Sequence, residues 1–141
     1  MAGNRHQFIL GLVIKKMREE GATVYGVDGN YPGLFGENTP LPPQILRHRP
    51  DAIGVKANGQ ICIGEAKSEN DIENNRTYEQ LQDFSSVELN GKLCEVFIGV
   101  PQTGEDVFNT SLERWGLKGF GNIHVLFIPD EIINDYGKAK I

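Results

Sequence analysis

Apolar positions recur at helical spacing through residues 5–21, where Phe8, Ile9, Leu12, Val13 and Met17 fall on one face. Gly21 stands just past them, where a helix commonly exits through a left-handed residue. "ATVYGV" (22–27) has strand character, and the breaker-rich "DGNYPGLFGENTPLPP" (28–43) reads as a long loop. Two runs, 45–55 and 59–68, flank "KANG" and predict a hairpin, because Asn-Gly suits the left-handed backbone of a tight turn. The residues before 76 offer several helix N-caps, with Glu69, Asp71 and Glu73 as a solvated capping run. "RTYEQLQDFSSVEL" (76–89) follows as an amphipathic helix with Tyr78, Leu81 and Phe84 inward. "LCEVFIGVP" (93–101) is continuously apolar, as a central strand covered on both faces must be. A short helix over 106–117 is anchored by Leu112 and Trp115, "IHVLFIP" (123–129) is a last buried strand, and 130–141 is a polar, loosely held tail. The predicted order is αβββαβαβ. A meander followed by crossover helices gives an α/β fold with a mixed central sheet and helices on both faces, in one domain spanning 1–141.

Composition narrows the function classes. A chain of 141 residues with 39% apolar content can build one core. No run approaches the roughly 18 apolar residues of a membrane span. Cys62 and Cys94 lie in strand-like runs without metal-ligand spacing, so they read as buried free thiols. With no signal-peptide layout at the N-terminus, that points to the cytoplasm. His6, His48 and His124 are too scattered for a zinc site. His6 and His48 read as surface or hydrogen-bonding residues, and His48 has phosphate within its reach between Arg47 and Arg49. A net charge of −5 argues against non-specific nucleic-acid binding. The acid is unevenly spread, however. Between Arg47 and Lys67 lie four cations (Arg47, Arg49, Lys56, Lys67) and two anions (Asp51, Glu65), a locally basic window suited to an anion.

The chemistry gathers at the ends of the hairpin strands. Side chains alternate along a strand, so Glu65 and Lys67 share a face. A hairpin turning at Asn58-Gly59 brings Asp51 near position 66, beside both. The plain alternative for this trio is an exposed cross-strand ion pair of little energetic weight. Two carboxylates a few ångströms apart repel unless a cation sits between them. Magnesium fits, since it takes few protein carboxylates and binds phosphate oxygens. A neighbouring lysine can assist the attacking water or stabilise charge on phosphate. Together these are the parts of metal-assisted phosphodiester hydrolysis.

"Pro50-Asp51 … Glu65-Ala66-Lys67" resembles the PD-(D/E)XK nuclease superfamily, whose restriction-endonuclease-like core has the αβββαβαβ order. The resemblance implies Asp51 and Glu65 as metal ligands, the Ala66 carbonyl as a backbone ligand and Lys67 as the catalytic lysine. Gln80-Leu81-Gln82-Asp83-Phe84 is similar to the Gln-apolar-x-x-Tyr element of some members, with Phe84 in place of the tyrosine. Gln80 is accordingly placed with the catalytic set. Arg47, Arg49, Arg76 and Gln80 are candidates for substrate binding. Many members carry a glutamate midway along the first helix. This chain has none there, so Glu20, on the track of Val13 and Met17, is the candidate; the alternatives are a site of two carboxylates alone or an acid from the loop, Asp28 or Glu37. The expected activity is that of a Mg²⁺-dependent nuclease, with Mn²⁺ as a substitute, acting on DNA. The alternative is a catalytically inactive nucleic-acid-binding or assembly module of the same fold. The expected partners are nucleic acid and a second copy of the chain or a larger complex, with no membrane. Tyr31, Leu34, Phe35, Ile132, Ile133 and Tyr136 are the apolar candidates for a protein contact.

Overall fold

The computed structural model describes residues 4–29 and 39–139. Helix α1 (Asn4–Glu19) is followed by strands β1 (Ala22–Val27), β2 (Ala52–Lys56) and β3 (Ile61–Ala66). Helix α2 (Asn75–Ser86) leads into a small hairpin, β4 (Glu88–Leu89) and β5 (Lys92–Leu93). Then come β6 (Glu95–Pro101), α3 (Glu105–Arg114), β7 (Ile123–Ile128) and α4 (Asp130–Ala139). Five strands form one sheet in the order β1-β2-β3-β6-β7. The β1/β2 and β2/β3 pairs are antiparallel, and the β3/β6 and β6/β7 pairs are parallel. The fold is therefore α/β with a mixed central sheet.

Alternation along the strands feeds two cores. Cys62, Ala66 and Phe97 face α1 and α4, joining Ile9, Leu10, Val13, Ile14, Met17 and Ile133. Ile63, Val96, Ile98 and Val100 face the other way, against Leu81 and Phe84 of α2 and Phe108 and Leu112 of α3. Helix α1 lies close on the sheet because two strand positions lack a side chain. A Cβ on Gly99 would stand 2.7 Å from Val13 and 2.8 Å from Ile9, and one on Gly64 would stand 2.8 Å from the Met17 sulfur. The helix ends as expected, with Gly21 at φ +97° and Lys16 and Arg18 in the last turn, where cations complement the carbonyl pole. Helix α2 is capped by Asn74, whose side-chain oxygen accepts from Thr77 N at 2.9 Å.

The hairpin register pairs Ala52 with Gly64 and Val55 with Ile61 around a turn with Gly59 at φ +89°. One step further, Asp51 stands opposite Glu65 rather than position 66. The far end of the sheet is tied by Lys56, Glu95 and His124, with His124 Nε2 at 2.8 Å from Glu95 and its ring stacked on Phe97. The two edges differ. β1 carries a register break between Val24 and Gly26, while β7 is paired to β6 without interruption and has no further strand beyond it among the described residues.

Four expectations are corrected. Residues 45–51 are not strand. Ile45 and His48 form an isolated bridge closing a two-residue turn, and the strand begins at Ala52. Helix α2 stops at Ser86, and Asn90 and Gly91, both at positive φ, turn a second hairpin there. Position 88 onward thus uses the same Asn-Gly device as β2/β3. The polar tail is helical over Asp130–Ala139, and its Ile133 is fully buried against α1, so that side chain is not free for a protein contact. Tyr31, Leu34 and Phe35, with Glu37, lie outside the described residues, as does the Tyr136 side chain. Both cysteines are buried free thiols, and burial pushes each up to about 11.

Candidate functional site

At the end of the sheet where β2 begins and β3 finishes, Asp51 and Glu65 hold each other's strands. The Asp51 backbone N–H donates to Glu65 Oε2 at 2.7 Å, and the Ala66 N–H donates to Asp51 Oδ2 at 2.9 Å. Glu65 is 1% exposed and Lys67 9%. The Lys67 ammonium donates a hydrogen bond to Gln80 Oε1 and lies 3.8 Å from Glu65 Oε1. Its backbone N–H is fixed by the Gly99 carbonyl at 3.0 Å. Gln80 reaches this point because it lies on the buried face of α2 with Thr77, Leu81 and Phe84. The register, the strand alternation and the helix face therefore bring together Asp51, Glu65, Ala66, Lys67 and Gln80.

Burial first, and then the charge of Asp51, raise the Glu65 carboxyl well above its ordinary range. Lys67, the Asp51 N–H and Arg76 oppose that shift without cancelling it. A carboxylate in this position is a group held short of positive charge.

His6 completes the cluster. It sits in the first turns of α1, with Nε2 at 3.3 Å from Asp51 Oδ2, and it also meets the Ala66 main chain. Burial disfavours its cation, but the hydrogen bond and charge of Asp51 outweigh that, and the imidazole titrates above its ordinary value. Helix α1 thus points its N-terminus at the site. Glu20 lies 14 residues on, about 20 Å along the helix axis, ion-paired to Lys16 at 3.2 Å. The expectation for Glu20 as a metal ligand fails for that reason. Asp28, the loop alternative, lies at the correct end, its N–H bonded to the Asp51 carbonyl at 2.7 Å and its side chain exposed. His6 escaped the sequence reading because nothing local marks it. The direction in which α1 runs over the sheet decides which end of the helix meets Asp51.

The arginines separate. Arg47 is committed to α2: Nε and Nη2 bind the two oxygens of Asp83 at 3.0 and 2.7 Å, and Glu79 lies 3.5 Å away. That pair holds the Asp83 carboxyl below its usual range, chiefly through the guanidinium hydrogen bonds. Arg47 is therefore a structural clamp rather than a free phosphate contact. Arg49 and Arg76 are exposed with no ion pair among the described residues, and Arg76 is close enough to act on Glu65. His48 is buried edge-on to Phe84, its Nε2 at 3.5 Å from Glu79 and without a hydrogen bond. Phe84 is a core side chain with no access to the site.

Among the described residues, no three His, Cys, Asp or Glu side chains are already arranged around a cation position. No helix is long and apolar enough to cross a membrane. No family model matches the chain, and neither a curated protein nor a solved structure matches it.

Proposed function

We propose that the chain is a divalent-metal-dependent nuclease of restriction-endonuclease-like fold, hydrolysing phosphodiester bonds in DNA. The observation that carries this reading is the facing pair Asp51 and Glu65, with Glu65 buried and Lys67 held beside it by Gln80. Two adjacent carboxylates, one raised by burial and by the other's charge, are relieved by a shared cation. The donor set is oxygen, which suits Mg²⁺ with Mn²⁺ as a substitute. Asp51 and Glu65 would hold it, with the Ala66 carbonyl alongside and His6 where the first helix reaches the site. When bound, the ion supplies positive charge for phosphate oxygens and a more acidic water.

The chain's own groups do the rest. Lys67 is oriented by Gln80, so its protons point at a fixed place next to Glu65. There it stabilises negative charge developing on phosphate and anchors the attacking water. Arg49 and Arg76 offer free guanidinium groups to flanking phosphates. Because the chain is acidic and has one site, cutting both strands of a duplex calls for a second copy.

One observation favours the alternative, a nucleic-acid-binding module without catalysis: among the described residues no three-ligand cage is preformed. Cleavage of circular, linear, branched and single-stranded DNA with Mg²⁺, Mn²⁺ or Ca²⁺ separates the two. Asp51→Asn and Glu65→Gln are expected to lose at least 100-fold in rate together with metal binding. Lys67→Ala should lose cleavage and retain metal binding measured by calorimetry. Full turnover in a chelator, or by Glu65→Gln, would rule the nuclease mechanism out.

A further inference from the structure

Five residues before Asp51, the chain makes a turn whose chemistry the hydrolytic site does not use. Ile45 and His48 exchange backbone hydrogen bonds at 2.8 and 3.1 Å, leaving Leu46 and Arg47 as the two central residues. Leu46 has φ +54°. At the first central position of such a turn, positive φ is normally supplied by glycine, because a Cβ is crowded there. A branched aliphatic residue in that conformation is strained. Nor is the strain offset by burial, since Leu46 is 60% exposed.

The turn is held fixed from several sides. Arg47 N donates to Asp83 Oδ2 at 3.3 Å, and its guanidinium grips both oxygens of the same carboxylate. Gln44 Nε2 donates to the Leu46 carbonyl at 3.0 Å. Ile45 and His48 are buried on either side of the tip. The anchor fixes the turn to α2 at Asp83, three residues and about 4.5 Å along the axis from Gln80, which holds Lys67. From the turn the chain runs through exposed Arg49 to Asp51.

An isolated exposed leucine on a relaxed backbone would call for no explanation. A strained and immobilised one, three residues from the free guanidinium of Arg49 and five from Asp51 of the candidate phosphodiester site, has the attributes of an apolar wedge. Such side chains enter between base steps and unstack them while cations hold the flanking phosphates. The geometry points to Leu46 as a wedge that this protein sets against the base stack of duplex DNA next to the bond it cuts. The inference rests on the nuclease reading for its substrate. It goes beyond that reading in assigning a residue that deforms duplex DNA.

The test uses the full chain, duplex oligonucleotides carrying 2-aminopurine at successive positions, and Ca²⁺ in place of Mg²⁺ while fluorescence is read. Wild type should raise the fluorescence at one or two neighbouring positions as a base unstacks. Leu46→Gly should fold and melt a few degrees higher, because glycine relaxes the turn. It should also lose that fluorescence rise, and lose tenfold or more in kcat/KM on duplex while cleaving single-stranded DNA within twofold of wild type. Leu46→Met, which restores an apolar side chain of similar volume, should recover most of the duplex rate. Unchanged duplex cleavage by Leu46→Gly, or bound wild type with no fluorescence change at any position, overturns the wedge and leaves the nuclease reading standing. Wild type that unstacks a base but cleaves nothing overturns the nuclease reading and keeps the wedge. Wild type that does not bind DNA overturns both.

Discussion

Glu65 accounts for both the strength and the weakness of the site. Its carboxyl is raised by burial and by Asp51, so the folded protein holds that proton more tightly than the unfolded chain does. Stability from this group is complete below the ordinary glutamate value of 4.5 and is lost as pH rises through the folded value. In a chelator at neutral pH, Glu65→Gln should therefore melt above wild type, on the order of a few degrees, with a smaller loss between pH 5 and 8. Added Mg²⁺ should raise the melting temperature of wild type, as a ligand of the native state does, and leave that of Glu65→Gln nearly unchanged. Thermal scans across pH, with and without Mg²⁺, measure both effects. A wild type more stable than Glu65→Gln in chelator would show that Lys67 already neutralises the carboxylate. Asp51, Glu65 and Lys67 were legible in the sequence because local rules place them: a turn signal sets the register and strand alternation sets the face. Gln80 was legible only through the resemblance of its helix to the Gln-apolar-x-x-Tyr element. His6 was not legible, since its meeting with Asp51 depends on how a helix 45 positions earlier docks.

At the scale of elements, the seating of α1 is the feature that a small change should disturb most. Gly99 and Gly64 leave a trough in β6 and β3 that Ile9, Val13 and Met17 fill. Gly99→Ala puts a methyl group into two branched side chains on a helix that cannot rotate away from both. Overpacking of this kind typically costs about 1–3 kcal/mol, and denaturant unfolding should read it directly. Because α1 carries His6 to Asp51, the same substitution should also lower the cleavage rate more than an equal destabilisation placed at Leu112 on α3. The helical spacing of α1 and of the body of α2, and the unbroken apolar run of β6, were read correctly. Misreadings fell where polar composition hid a buried anchor, as with Ile133 in α4, or where a short hairpin ran on from a helix at Val87. The turn at 45–48 looked like strand because Ile45 and Leu46 are apolar. Only Ile45 is buried, and the other stands in solvent.

For the whole molecule, the relevant contrast is between the two sheet edges. β1 is interrupted by a bulge, with Thr23 and Tyr25 exposed. Among the described residues β7 is an open edge, and it presents "IHVLFI" with no bulge, proline or glycine to discourage pairing, its one polar side chain, His124, being engaged by Glu95. A second copy added strand to strand along β7, antiparallel about a two-fold axis, would supply the two sites that duplex cleavage requires. Sedimentation at micromolar protein should then show a dimer, and Val125→Lys, at a partly buried position packed against the α2/α3 core, should weaken it at least tenfold in samples whose fold is checked by circular dichroism. A monomer that makes double-strand breaks at first order in protein would contradict this arrangement.

The bulge in β1 has a consequence for growth. Polymerisation by strand addition needs two reactive ends on every unit, one to receive and one to pass on. With β7 unbroken and β1 bulged, such a unit would behave as a chain terminator: once two β7 edges had met, the five-stranded sheet of each copy would offer only its bulged edge. The same apolar edge that in a regular sheet would seed fibres would here close only a pair, so concentration should drive this protein to a finite particle rather than to an open-ended one.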